Sequence, residues 1–130
     1  MKDMLNELMQ ALATDSEIQE IQQNEGFKSY VRRDELAKEK TSITVSPSGP
    51  PESVGFASND SLSKHFIFQV SIEAVQREIP KNLQRKVEQI FKTMGFYQMP
   101  GGIDDYFSTT KRYVDARFYQ GNSRLYDDDY

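Results

Sequence analysis

The sequence has no cysteine, no tryptophan and a single histidine in 130 residues. Without cysteine it can form no disulfide, offer no thiolate nucleophile and build no zinc-thiolate site. Such a composition fits a reducing cytoplasm. No apolar run approaches the ~20 residues that span a bilayer. The first residues, Met1-Lys2-Asp3-Met4-Leu5-Asn6-Glu7, carry acids inside their apolar stretch, so no signal peptide is expected and the protein is expected to be soluble. Positive charge is also short: 16 Lys and Arg stand against 20 Asp and Glu, a net charge of -4. Binding to a phosphate backbone needs a concentrated basic face, so no sequence-specific nucleic-acid partner is expected.

Chemical motifs are missing as well. No Gly-x-Ser-x-Gly, His-Glu-x-x-His or Walker pattern occurs, which leaves nucleophilic and metal-hydrolase chemistry without a foothold. His65 opens a strand-like segment and has no ligand or base at a useful spacing. Asp104-Asp105 and Asp127 to Asp129 offer oxygen atoms but lack the alternating spacing and central glycine of a calcium loop. Gly101-Gly102 is a turn rather than a phosphate cradle, which needs further glycines or a Lys and Ser/Thr opening onto a helix. No enzyme activity, metal or cofactor is expected.

The chain does contain strong structural patterning. Its length fits one domain over residues 1–130. From His65 to Val75 the side chains alternate: Phe66, Phe68, Val70, Ile72 and Ala74 fall on one face, Gln69, Ser71 and Glu73 on the other. That period of two marks a half-buried strand. Leu83, Val87, Ile90, Phe91 and Met94 then follow helical spacing over 80–94, and Gly95 stands where a left-handed cap ends a helix. Arg112 to Tyr119 alternates again, with Val114, Ala116 and Phe118 on one face and Tyr113, Asp115, Arg117 and Tyr119 on the other.

Upstream, Leu5, Leu8 and Leu12 form one stripe of a helix over 2–13. Asp15 or Ser16 can cap a second short helix carrying Ile18 and Ile21. Phe27 to Val31 reads as a short strand or extended segment. Arg32 to Lys40 is a charged connector anchored by Leu36, and Thr41 to Ser46 is a short strand. The Ser-, Pro- and Gly-rich stretch from 47 to 64 reads as a long flexible loop, or as the tip of a hairpin if its flanking strands pair. Phe96 to Met99 reads as a short strand, Pro100-Gly101-Gly102 as a turn, and 103–111 as a crossing segment anchored by aromatics. Residues 121–130 form an extended C-terminal tail. The expected fold is α+β: a small, mainly antiparallel sheet of about four strands packed against two principal helices.

Function is therefore sought on surfaces. Arg112, Arg117 and Arg124, with Tyr113, Tyr119 and Tyr126 and the acidic Asp127, gather toward the C-terminus. Arg and Tyr are enriched at protein interfaces. The same set also reads as an ordinary polar sheet face, or as a platform for single-stranded nucleic acid that the neighbouring acids would oppose. An open sheet has edges to protect, and pairing them with identical copies in a ring is one solution.

Several stretches carry a family resemblance: His65-Phe66-Ile67-Phe68-Gln69-Val70, Gly95-Phe96, Gly101 to Phe107, Lys111 to Tyr119 and Leu125-Tyr126-Asp127. Arg33-Asp34-Glu35-Leu36, Thr41-Ser42-Ile43 and Gly49-Pro50-Pro51 extend it upstream. Together they resemble the tail terminators, or tail completion proteins, of long-tailed phages of Gram-positive bacteria, a λ-type terminator fold. The resemblance implies a hexameric homo-oligomer that caps the tail tube and joins it to the head. Its partners would be the tail tube protein and a head–tail connector protein. Its place would be the head-proximal end of the tail in the virion, reached from the host cytoplasm during assembly. Rival readings are a head completion or connector adaptor protein, a tail chaperone, or a small bacterial ligand-binding module.

Overall fold

The computed structural model describes residues 1–57, 60–124, 127 and 129–130. Helix α1, Met4–Leu12, is capped by Asp3, whose side chain accepts from the Asn6 amide. Helix α2, Ser16–Gln23, is capped by Asp15, which accepts from the amides of Glu17 and Ile18 at 3.1 and 3.2 Å. Both caps satisfy amide donors that a helix leaves without internal partners. The strands are β1 (Phe27–Ser29), β2 (Ser42–Pro47), β3 (Glu52–Ala57) and β4 (Asp60–Ala74). Helix α3 (Glu78–Thr93) follows, then β5 (Tyr97–Phe107) and β6 (Arg112–Asn122).

The fold is α+β, as the periodicities predict, but richer than expected. Among the described residues it has three helices and a six-stranded mixed sheet in the order β1-β2-β4-β6-β5, with β3 paired to β4. Among the described residues these strands pair antiparallel except β1 with β2, and a single parallel bridge joins Ser63 to Asp127. The expected 47–64 loop is largely a hairpin. Glu52 pairs with His65 and Val54 with Ser63, so β3 and β2 lie end to end along one edge of β4 while β6 takes the other. The Pro- and Gly-rich residues only bridge β2 to β3; Ser58 and Asn59, in the expected loop, lie outside the described residues. The expected turn at Pro100-Gly101-Gly102 is a bulge inside one continuous strand. Met99 pairs with Phe118 and Ile103 with Ala116, so the register shifts between them.

The core lies between the sheet and α1 and α3. Phe66, Phe68, Val70 and Ile72 of β4 face Leu83, Val87 and Phe91 of α3 and Leu8 and Leu12 of α1, all essentially inaccessible. Burying each such side chain contributes about 1.5–3 kcal/mol. Gly95, at φ 79°, turns the chain out of α3 as its position predicts, and the Phe96 amide donates to Phe91 O at 2.9 Å. Phe96 then fills the core beside Phe66, Phe68 and Phe91. On the opposite face of the sheet the 30–41 connector lies across one end. Leu36 is buried there, and Arg32 donates to Ser42 Oγ and to the carbonyls of Leu36, Ala37 and Lys40.

Candidate assembly surface

The proposed Arg/Tyr set does not form one free surface. Tyr119 is fully buried. Its ring meets Phe91 edge-on at 5.0 Å, and its hydroxyl donates to Gln84 Oε1 at 2.9 Å. Burial holds its hydroxyl well above the usual tyrosine pKa, so it stays protonated. Arg112 is buried too, beneath the connector, with Nε on Glu73 at 3.1 Å. Arg117 is half-buried and grips Asp115 through two bonds, at 2.9 and 3.1 Å. Tyr113 is half-buried and packs against Tyr106, ring centres 4.7 Å apart. Arg124 is exposed, and Tyr126 lies outside the described residues.

Asp127 belongs to a clasp between the two ends of the chain. Lys2 Nζ reaches its carboxylate at 2.6 Å, and the Lys2 amide donates to Asp129 O at 2.8 Å. That hydrogen bond raises the Lys2 pKa and lowers that of Asp127. Tyr130 donates to Glu7 at 2.7 Å and packs its ring on Phe66 at 5.2 Å. The remaining candidates are structural in their contacts. His65 Nδ1 lies 2.6 Å from Asn122 Oδ1, and Asp104 takes a 2.5 Å hydrogen bond from Lys81 that holds its carboxyl below the usual range. Among the described residues no three His, Cys, Asp or Glu side chains gather as a metal site, and no helix is long and apolar enough to cross a membrane.

The exposed surface that does stand out is β5. It is the last strand of the sheet, so among the described residues one row of its amides and carbonyls has no strand beside it. Its side chains are almost all exposed, including Tyr97 at 55%, Ile103 at 46%, Tyr106 at 44% and Phe107 at 40%. Register puts Tyr97, Met99, Ile103 and Phe107 on the face opposite α3, beside Val114, Ala116 and Phe118. Gly102, at φ 118°, lies so close to Ala116 O that a side chain there would collide with it. The sequence marks 100–111 as a contact region, but as a crossing segment rather than a strand, because Pro100-Gly101-Gly102 reads as a turn. The alternation of Ile103, Asp105 and Phe107 was the available signal.

At the opposite edge, β1 likewise has no further strand beside it among the described residues. Lys28 is exposed, and so are Tyr30 at 62% and Val31 at 71% just beyond the strand. A sheet that ends in an open strand on each side can be extended by the strand of another chain.

Compared with protein-family models and with curated proteins, the sequence matches none. Among solved structures the chain is similar to one in the virion of a native gene transfer agent particle. The TM-score is 0.54 at 9% sequence identity, over 88% of this chain and 90% of that one. At that identity the likeness is one of fold, and it runs nearly end to end.

Proposed function

We propose that the protein is a structural component of a phage-like virion, and specifically a tail terminator. In this reading it has no enzymatic activity. Copies form a ring, six by the family resemblance, on the last ring of the tail tube. One face of the ring matches the tube protein. The other lacks the tube's polymerising surface and meets a head–tail connector protein, so growth stops and a joint is made. The protein acts at the head-proximal end of the tail, after synthesis in the host cytoplasm.

The observation that carries this reading is the end-to-end fold likeness to a chain of a gene transfer agent virion. The family resemblance in the sequence points the same way, and the two exposed sheet edges fit a protein that works by contact. The test is tube growth. Added to polymerising tail tube protein, the chain is expected to shorten the tubes and to leave added density at one end in electron micrographs. Unchanged tube lengths with bare ends would overturn the reading. Binding to empty portal vertices in place of tubes would transfer it to the connector adaptor class.

A further inference from the structure

We propose that the ring closes by strand addition: the β5 edge of one copy pairs antiparallel with the β1 edge of the next, so that one sheet continues from subunit to subunit. This deepens the ring reading above and rests on it. The sheet's own geometry carries the argument. β1 runs parallel to β2, and each later step, β2 to β4, β4 to β6 and β6 to β5, reverses direction. β1 and β5 are therefore antiparallel. A neighbour placed beside β5 in the same orientation offers its β1 in the antiparallel sense that most of this sheet already uses.

The faces match as well. Lys28, Thr44, Ser71, Ala116 and Ile103 form one continuous row of partners across the sheet, so all five lie on the same face. Asp105 follows two residues after Ile103 on that face. In a continued sheet, Lys28 of one copy and Asp105 of the next lie on one side and in neighbouring rows, within a lysine's reach. Both are exposed, and among the described residues neither makes an ion pair. Exposed apolar groups flank both: Ile103, Tyr106 and Phe107 on β5, Tyr30 and Val31 after β1.

The other pairings fit less well. Two β5 edges brought together about Asp104 and Asp105 set acids against acids and leave both β1 edges open. The outer edge of β3 begins with the exposed Glu52, which repeats the charge of β5. The bulge at Pro100 to Gly102 limits pairing to the stretch from Ile103 to Phe107, because Pro100 has no amide hydrogen and the register breaks there. A contact between two different edges is heterologous, and such contacts close into rings when the rotation per subunit allows.

Because the chain has no cysteine, introduced thiols report contacts without background. The variants Lys28→Cys and Asp105→Cys, mixed before assembly and then bridged by a short bis-thiosulfonate that spans the diagonal, should give a disulfide-linked dimer joining one of each. The double variant should give a covalent ladder that a reductant collapses. Dimers formed only by Asp105→Cys with itself, or by Asp105→Cys with Ser53→Cys, would overturn the proposal. Rings seen by microscopy but without the 28–105 link would overturn it while leaving the ring reading intact. No ring, in solution or on tubes, would sink both. As a second measurement, Ile103→Lys should keep the monomer's circular dichroism and raise the concentration needed for assembly at least tenfold. Assembly at the unchanged concentration would count against the edge.

Discussion

Gln84 is a buried polar residue in the middle of an apolar helix face, and it is fully employed. Its amide nitrogen donates to Val70 O and Asp115 O, each at 2.9 Å, and its oxygen accepts from Tyr119. It thereby ties α3 to both β4 and β6. Replacing one partner strands the other, and an unsatisfied buried group costs about 1–3 kcal/mol. Tyr119→Phe and Gln84→Leu should each lower stability by that order in urea unfolding. The double variant should cost less than the sum, because neither partner is then left unpaired. Strict additivity would contradict the network. At Lys81 and Asp104 the expectation concerns pH. The folded Asp104 pKa is depressed, so its contribution is present above the ordinary carboxylate range near ~4 and is lost as pH falls through the folded value. The pair is largely exposed, so the effect is at most ~1 kcal/mol. Asp104→Asn should lower the urea midpoint at pH 7, and that loss should shrink as pH falls through the acid range. The parity of β6 was legible in the sequence, but which of its sides faces α3 was not. Tyr119 shares its face with Asp115 and Arg117, and these charges made it read as the polar side. In the fold the two charges neutralise each other where that face leaves the shelter of α3.

The long periodic elements were readable because one period persisted over many residues. The β4 alternation, the α3 stripe, the Asp15 cap and the Gly95 stop all recur in the structure. Short elements rich in turn residues were not readable. Strand β3 contains Ser53 and Gly55 and has no clean alternation, so only its pairing with β4 reveals it. The bulge in β5 hides a strand behind residues that elsewhere make turns. Gly102 is needed there for its positive φ and for its approach to Ala116. Gly102→Ala should therefore destabilise the protein by more than about 1 kcal/mol, read as a lower urea midpoint. Equal stability would mean that the bulge relaxes without difficulty. Of the residues first singled out as an interface, most are held within the fold: Tyr119 and Arg112 are buried, Arg117 and Tyr113 are half-buried and Asp127 sits in the terminal clasp. Their residue types suggested recognition, but types alone do not report which face a neighbouring helix or connector covers.

Taken as a whole, the molecule is a sheet with a core on one face, a partial cover on the other and free strands at both ends. The Lys2–Asp127 and Tyr130–Glu7 contacts close the core beside Phe66. The function proposed above makes the working unit a closed ring of copies on a tube end. The most direct measurement is absolute mass by light scattering over a concentration series, with the protein alone and with tail tubes. A discrete species near six times the 15.0 kDa chain is expected, free or formed on tubes. A 15.0 kDa monomer at every concentration, unchanged by tubes, would contradict it.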